Sequence, residues 1–267
     1  MLNLKNRLAV LVVSCDNYSD LWKPFFSLFW LFWSDCPFDV YLLSNNTNPA
    51  IPQVKSLLVG DDISWSNSLQ KGLSLLKEDY VLLFLDDLFL LEPVKTKEVL
   101  EVFSWAVESD INYVRMNPMR NKPDESLDES IGILSKGAIY RTSTVVSVWK
   151  KNVLLDLLKD GESAWDFEVY GSIRSDKYDR FYASWKDYFT ITNAVIKGKW
   201  QKSAVRELKS LSVEIDLTSR KIMTFSETII QYLRILRSWV LCVFPAKYRR
   251  RVKSFILRRK YNYEQNT

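Results

Sequence analysis

The sequence predicts an α/β fold in which a mixed, mostly parallel sheet is flanked by helices on both faces. Three continuous apolar runs of strand length occur in the first third of the chain, at residues 8–15, 38–44 and 80–85. Such runs, without polar alternation, are typical of strands that are buried on both faces. Helical segments separate them, and the resulting β-α-β-α-β order indicates a parallel sheet whose ligands bind beyond the carboxyl ends of the strands.

Each predicted element has its own signal in the sequence. The first strand, LAVLVVSC, is followed by an aromatic-rich helical segment for which Asp20 is a candidate N-cap. The second strand, FDVYLLS, ends in polar, turn-forming residues. The segment 66–77 has leucines at helical spacing. Strands are predicted at 8–15, 38–44, 80–85 and 113–116, and helices at 20–33, 66–77 and 95–107.

The composition excludes several classes of catalytic site. The chain has no histidine, which rules out Ser-His-Asp and Cys-His nucleophiles and HExxH metal sites, so a catalytic base must be a carboxylate or, less often, a Lys or Tyr. The first glycine is Gly60, so the opening strand carries neither a GxGxxG turn nor a P-loop. Cys15, Cys36 and Cys242 are far apart and indicate neither a disulfide framework nor a zinc site. We therefore expect a reducing, cytoplasmic location.

The charge is distributed unevenly along the chain. The net charge is +5, yet ten of the basic residues, and no acidic residue, lie between Glu227 and Glu264. Residues 1–227 hold 27 basic and 31 acidic residues, a net charge of about −4. We therefore predict a catalytic domain over 1–220 and a basic, amphipathic helical tail over 221–267.

The tail predicts peripheral attachment to an anionic membrane surface. In the run 228–244, one side of the expected helix is polar and the rest is apolar, as in interfacial helices. The polar side consists of Gln231, Arg234, Arg237 and Ser238. Two arginines argue against a spanning helix, and each basic group near an anionic leaflet contributes on the order of 1 kcal/mol. The acidic body disfavours nucleic acid as a partner; packing of this helix onto the body and oligomerisation remain open.

Two adjacent carboxylates interrupt the apolar stretch VLLFLDDLFLLEPV. Asp86 and Asp87 follow directly after the strand 80–85, so they are expected at its carboxyl end, where the crevice of an open α/β sheet lies. One of them could instead cap a turn before Leu88. Two like charges held close together repel unless a cation or hydrogen-bond donors offset them, which indicates a metal and the diphosphate that it carries.

Seven segments occur in an order and spacing that are shared with a known family. They are VVSCDNYSDLW (12–22), YLLSN (41–45), GDDISWSNSL (60–69), YVLLFLDDLFL (80–90), IYRTSTVVSVWKKNVLLDLL (139–158), GESAWDFEVYGS (161–172) and KGKW (197–200). Across roughly residues 8–205, the chain resembles bacterial GT-A fold glycosyltransferases that build surface polysaccharides such as O-antigen or capsule. The resemblance implies a nucleotide-sugar donor and a glycan acceptor carried on undecaprenyl or another lipid.

The same resemblance implies a role for the acidic pair. Asp86 and Asp87 correspond to the family motif that holds the donor diphosphate through a divalent cation, Mn²⁺ or Mg²⁺. The usual DxD form has a second carboxylate where this chain has Leu88. The implied metal ligand is therefore Asp87, with water and phosphate completing the coordination, or the transfer proceeds without a metal.

The segment GESAWDFEVYGS supplies the candidate base. An inverting transfer needs one group to deprotonate the acceptor hydroxyl, and no covalent nucleophile. Asp166 forms a capping-box pattern with Ser163, and Glu162 is also explained by a helix N-terminus. Glu168 lies three residues after Trp165, so a helix places both on one side, next to a platform for a sugar ring. We predict Glu168 as the base, with Asp166 as the alternative.

Four further residues are candidate donor contacts. Asp16, after the first strand, is placed by the resemblance at the nucleotide base or ribose, and a turn-forming role is the alternative. Asp62 and Trp65 are expected to approach the donor, although a loop leading into a helix also explains them. Arg141 is a candidate for an oxygen of the diphosphate or acceptor, with an ordinary surface arginine as the alternative.

The function predicted from these features is the transfer of a sugar from a nucleotide sugar to a lipid-linked glycan at the cytoplasmic face of the membrane. A sugar-phosphate nucleotidyltransferase is the enzymatic rival, but it would normally carry a Gly-rich, basic phosphate loop, which VVSCDNYSD lacks. A catalytically silent membrane scaffold that keeps the fold is the rival from another class.

Overall fold

A computed structural model describes residues 4–119, 122–244 and 248–252 of the chain. Its strands are β1 (Leu8–Val13), β2 (Val40–Ser44), β3 (Val54–Leu58), β4 (Tyr80–Leu85), β5 (Leu88–Leu90), β6 (Tyr113–Arg115), β7 (Glu125–Ser126), β8 (Ile131–Ile133), β9 (Ser147–Lys150), β10 (Phe181–Ser184), β11 (Ile191–Asn193), β12 (Val195–Ile196) and β13 (Lys199–Trp200). Its α-helices are α1 (Trp22–Phe32), α2 (Trp65–Leu75), α3 (Thr96–Glu108), α4 (Lys151–Leu157), α5 (Ala164–Asp166), α6 (Ser172–Arg174), α7 (Lys202–Ser210) and α8 (Phe225–Val243).

Within the described residues, nine strands form the central sheet in the order β3-β2-β1-β4-β9-β6-β10-β8-β7. The strands β3, β2, β1 and β4 are parallel neighbours, and β6 pairs with β10 in parallel. Strand β9 is antiparallel to β4 and β6, and β8 is antiparallel to β10 and β7. Seven of the nine strands therefore run in one direction, which confirms the predicted mixed, mostly parallel sheet.

Both faces of this sheet are covered, as the apolar strands predict. In β1, Val10 and Val12 belong to a core that includes the aromatic residues of α1 and the buried face of α3. Leu11 and Val13 belong to a second core, with leucines of α2 and α4. Successive side chains of a strand point to opposite faces, so one continuous apolar strand contributes to both cores.

Five strands of the central sheet, β3, β7, β8, β9 and β10, lie outside the predicted set, and the edge strand β3 shows a physical reason. Strand β3, VKSLL, pairs in parallel with β2 at the sheet edge and has only Leu57 fully buried. Because an edge strand is half exposed, it lacks the continuous apolar run that marks a central strand.

Arg220 fastens the C-terminal part of the chain to the turn that follows β1, at the carboxyl edge of the sheet. Its guanidinium donates to both carboxylate oxygens of Asp20, at 2.7 and 2.9 Å, and to the carbonyl of Asn17 at 2.8 Å. It also stacks on the ring of Tyr18, with 4.0 Å between the guanidinium carbon and the ring centre. The C-terminal part of the chain is thereby held beside the turn that follows β1.

The predicted tail contacts the body in the part that the structure describes. Helix α8 begins with a capping box, in which Thr224 and Glu227 bond each other's backbone amides, and Lys199 pairs with Glu227. Arg250 donates to the carbonyls of Ala138 and Ser172 and pairs with Asp176. The boundary at residue 220 stays a prediction, and these contacts cross it. Residues 245–247 and 253–267 of the predicted tail lie outside the described residues.

Candidate functional site

A cavity of about 750 Å³ opens where β1 and β4 end, and we call it the cleft. Residues after β1, before α2 and after β4 line one side, and residues before β9 line another. Helix α5 and the π-helical turn that follows it complete the wall, together with β11 and α8. Of the residues predicted for the site, Asp62, Trp65, Asp87 and Glu168 line the cleft, and their neighbours Leu88 and Trp165 line it too.

The two adjacent aspartates occupy different environments. Asp86 is buried behind the cleft, where Ser14 Oγ donates to its Oδ2 and Trp22 Nε1 donates to Ser14 Oγ at 2.6 Å. Burial, and next the charge of Asp87, raise the pKa of Asp86 well above its ordinary value, which disfavours its charged form. The structure therefore places Asp86 as a support for the cleft wall, whereas Asp87 reaches the cleft itself.

Asp87 carries an unpaired oxygen. Its Oδ1 is buried and has no hydrogen-bond partner among the described residues. Burial raises its pKa to about 7, although the charge of Arg220 acts in the opposite direction. A buried carboxylate without a partner is unfavourable, and a bound cation is the kind of group that offsets this penalty.

The cleft is acidic. Asp62, Asp87 and Glu168 line it, and no lysine or arginine does so among the residues that the structure describes. Within the same residues, no group of three or more His, Cys, Asp or Glu side chains is arranged to hold a metal ion. The described lining therefore offers carboxylate oxygens to a cation and no basic side chain to an anion.

Glu168 is oriented by three hydrogen bonds to a single oxygen. Its Oε1 accepts from Ser143 Oγ at 2.9 Å, from the Thr144 amide at 2.9 Å and from Thr144 Oγ1 at 3.1 Å. Although the residue is only 8% exposed, it lines the cleft. Its Oε2 makes no hydrogen bond within the described residues and remains available to a ligand.

The backbone around Glu168 departs from a regular α-helix. Residues Phe167–Gly171 form a π-helical turn between α5 and α6. Gly171 permits this close packing, because a Cβ there would lie 2.9 Å from the ring of Phe167. Single π-turns inside helices occur often at functional sites, and this one carries the best-oriented carboxylate of the cleft.

The other two acidic residues of this segment have structural partners. Glu162 forms a bidentate ion pair with Arg174, at 2.8 and 2.6 Å, and both side chains are largely buried. Asp166 is exposed and completes the capping box with Ser163, accepting from its amide at 3.1 Å and from its Oγ at 2.6 Å. Neither Glu162 nor Asp166 lines the cleft.

Two tryptophans lie on the cleft wall. Trp165 is 67% exposed, so an indole face is accessible beside Glu168. Trp65 packs against Phe167, with 5.6 Å between ring centres. The Ser66 amide and the Glu162 carbonyl are joined at 3.1 Å, and this bond holds the start of α2 against the segment that carries Trp165.

Asp16 and Arg141 make contacts within the protein and do not line the cleft. The Asp16 carboxylate accepts from the amides of Asn45, Asn46 and Thr47 and so joins the loops that follow β1 and β2. Arg141 is buried and donates to the carbonyls of Leu134 and Tyr178 at 3.0 and 2.9 Å.

Several cleft residues carry weak sequence signals. Ser143 and Thr144 are ordinary polar residues in TSTVV, and only the fold shows that they orient Glu168. Asn193 and Gln231 come from the C-terminal third of the chain, far from the residues that they face. Gln231 was identified as part of a polar helix side, but that pattern gave no reason to place it at the cleft.

Comparison with known proteins gives a likeness of fold. No protein-family model matches the chain, and no curated protein matches it either. UTP-bound UGPase from Acinetobacter baumannii has a TM-score of 0.53 at 9% identity, covering 86% of this chain and 98% of that one. S. aureus TarS 1-349 has a TM-score of 0.49 at 12% identity, covering 68% of this chain and 59% of that one. S. aureus TarS 1-349 in complex with UDP has a TM-score of 0.47 at 10% identity, covering 96% of this chain and 93% of that one.

At sequence identities this low, a structural likeness shows a shared fold and nothing about activity. The likeness to UGPase supports the mixed, mostly parallel α/β fold that the sequence predicts. The chain spans 59% of the length of TarS 1-349 in the first of the two TarS comparisons.

The environment of Cys15 predicts slow alkylation that depends on Asp62. Cys15 lines the cleft, and burial, followed by the charges of Asp62 and Asp86, raises its pKa to about 11. Because the thiolate reacts, labelling with iodoacetamide should accelerate about tenfold per pH unit below that value. Asp62→Asn removes a negative charge that raises the pKa of Cys15, so labelling of Cys15 at pH 8 should be faster in this variant. Peptide mass spectrometry measures the labelling rate.

Cys36 provides the control within the same chain. It lies outside the cleft, and burial raises its pKa to about 12. Its labelling rate should be the same in wild type and Asp62→Asn. An unchanged rate at Cys15 in the variant, or an equal change at Cys36, contradicts the electrostatic account of the cleft.

Proposed function

We propose that the chain is a GT-A type glycosyltransferase that moves a sugar from a nucleotide-sugar donor to a glycan acceptor, with inversion. The observation that carries the proposal is one cleft with two complementary carboxylates. Glu168 is fixed through Oε1 and keeps Oε2 free, and Asp87 has a buried oxygen without a partner. An inverting transfer needs these two functions, a positioned base and a group that helps to hold the diphosphate.

Glu168 is the proposed base. The acceptor hydroxyl attacks the anomeric carbon of the donor sugar, and Glu168 Oε2 takes the proton of that hydroxyl. A bond forms between the acceptor oxygen and the anomeric carbon while the bond from that carbon to the phosphate oxygen breaks, and its electron pair leaves with the nucleoside diphosphate. Three donors on Oε1 hold the carboxylate in one orientation, which favours attack from a single face. Trp165 supplies an aromatic face for the sugar ring.

A divalent cation fits the residues of this cleft. The unpaired Oδ1 of Asp87 offers one hard oxygen ligand, and the absence of basic residues among the described lining leaves the charge of a diphosphate unbalanced. Asp87 would hold Mn²⁺ or Mg²⁺ together with donor phosphate and water, and the cation would neutralise the departing diphosphate. Asp62, on the same wall, adds to the negative potential that attracts it.

The nucleotidyltransferase remains the second candidate because the UGPase likeness extends over 98% of that chain. The two reactions differ in what leaves the site. Pyrophosphate release from a nucleoside triphosphate and a sugar phosphate would favour the nucleotidyltransferase. Failure of the wild type to bind, hydrolyse or transfer any donor would favour the silent scaffold.

Substitution of the two candidate bases separates them. Glu168→Gln keeps the size of the side chain and removes its ability to accept a proton, so kcat should fall by about 10²–10⁴-fold while donor affinity changes little. Asp166→Asn is the matched control. It perturbs the Ser163 capping box at a cost of at most about 1 kcal/mol and should leave kcat close to wild type. Loss of activity in Asp166→Asn, with Glu168→Gln active, would reverse the assignment.

The cation predicts a metal-dependent thermal shift. A nucleoside diphosphate with Mn²⁺ at about 100 times its Kd should stabilise the native state by about 2.7 kcal/mol, or roughly 5–10 °C in Tm. The shift should vanish with a chelator and in Asp87→Asn. Asp61→Asn, an exposed acidic residue outside the cleft, should retain it. Equal shifts with and without chelator would show that Asp87 does not act through a metal.

Helix α8 and the residues after it support attachment to an anionic membrane at the cytoplasmic face, where a lipid-linked acceptor such as an undecaprenyl glycan is found. The helix leaves large apolar side chains exposed: Phe225, Ile230, Tyr232, Leu233 and Leu236. Ten basic residues follow Glu227 in the sequence. No described helix is both long enough and apolar enough to cross a membrane. An amphipathic helix followed by basic residues is typical of interfacial attachment.

Matched leucines test this attachment. Leu236 on α8 and Leu31 on α1 are each 60% exposed, so substitution by Asp puts the same charge at two equally exposed apolar positions. Leu31 therefore serves as the control for Leu236. Leu236→Asp should reduce flotation with vesicles that contain anionic lipid, and Leu31→Asp should not. Binding to neutral vesicles should be weak, and salt should lower binding to anionic ones. Equal effects of the two substitutions would contradict attachment through α8, and a fall in oligomer mass for Leu236→Asp alone would favour a second copy as its partner.

A further inference from the structure

Helix α8 is fixed beside the cleft at its first turn. Glu227 is held by the capping box with Thr224 and by the ion pair with Lys199, which comes from the β12–β13 hairpin. Gln231 follows Glu227 by four residues, and residues at this spacing lie on the same side of a helix. The anchored side of α8 is therefore the side that meets the cleft.

Gln231 is the one residue of α8 whose described side chain lines the cleft. Its neighbours Tyr232 and Leu233 are 65% and 58% exposed and point to the outer surface. The carboxamide of Gln231 makes no hydrogen bond within the described residues. Asn193, at the end of β11, also lines the cleft, and its carboxamide likewise has no partner there.

The chemistry of these two groups fits a neutral, hydroxyl-rich ligand. A carboxamide both donates and accepts hydrogen bonds, as a sugar hydroxyl does. It carries no charge and adds little to the affinity for a phosphate, which Lys and Arg bind better. The acidic residues that would engage a cation and its diphosphate come from other elements of the cleft.

We propose that Gln231, together with Asn193, binds hydroxyl groups of the donor sugar, so that helix α8 forms part of the substrate site. The proposal rests on the glycosyltransferase function and adds a specificity-determining residue from a segment that the sequence predicts to attach to a membrane surface. Through Gln231, helix α8 then contributes to the binding site as well as to the tail.

The test compares binding of two probes to the full chain. A panel of UDP-, GDP- and dTDP-sugars with Mn²⁺ is screened by thermal shift, and the most stabilising nucleotide sugar is paired with its own nucleoside diphosphate. Titration calorimetry then measures both probes with wild type, Gln231→Ala, Asn193→Ala and Tyr232→Ala. Tyr232→Ala is the control, since it truncates the next residue of the same helix on its outer side.

Gln231→Ala and Asn193→Ala each remove one hydrogen bond, so each should raise the Kd of the nucleotide sugar about 3- to 10-fold. The Kd of the nucleoside diphosphate should stay within about twofold of the wild-type value. Tyr232→Ala should change neither. Equal weakening of both probes by Gln231→Ala, or no weakening of either, overturns the sugar assignment while the glycosyltransferase proposal stands. If no nucleotide sugar binds the wild type, both proposals fail together. Far-ultraviolet circular dichroism confirms that each variant is folded.

Discussion

The parallel pairing of β1 with β4 is the constraint on which the cleft depends. Val13 pairs with Leu85, so the residues that follow, Ser14 and Asp86, emerge side by side at one edge of the sheet. Their hydrogen bond, extended by Trp22 Nε1, fixes the ends of both strands and buries Asp86. Asp87 is then the first acidic side chain of this strand end that lines the cleft. A shift of one residue in this register would turn Asp87 toward the core.

The electrostatic character of the cleft follows from what surrounds this edge. Burial raises the pKa of Asp87 to about 7, and Arg220, whose charge acts in the opposite direction, is paired with Asp20. The site therefore concentrates negative potential and offers an anion no cation from the described lining. This arrangement supports the proposal of a donor that arrives with its own divalent ion, and it differs from phosphate loops that rely on backbone amides and lysine.

The sequence predicted the fold well and the site in part, for a physical reason. A strand that is buried on both faces can be recognised from its continuous run of apolar residues. The half-exposed edge strand β3 has no such run, so its sequence does not identify it. Asp87 and Glu168 were proposed from their positions beyond a strand and on a helix, and Asp62 and Trp65 from the family resemblance. The fold brings all four to one cleft.

The direction in which a side chain points depends on neighbours that are distant in sequence. Asp86 and Arg141 were chosen by position and Asp16 by the family resemblance, yet Asp86 is bound by Ser14, Asp16 by the loop after β2 and Arg141 by the carbonyl of Leu134. The contribution of Gln231 depends on how α8 returns across the sheet edge, which an amphipathic pattern alone does not encode. Because one helix carries both Gln231 and the exposed apolar side chains, the proposed substrate binding and the proposed surface attachment would be linked by geometry.

The most direct measurement is a crystal structure with a nucleoside diphosphate and Mn²⁺, with data collected at the manganese absorption edge. The account predicts an anomalous peak at coordination distance from a carboxylate oxygen of Asp87, bridged to the diphosphate inside the cleft, with Glu168 left unliganded. A diphosphate bound away from the ends of β1 and β4, or one held in the cleft while Asp87 contacts neither metal nor phosphate, would contradict it.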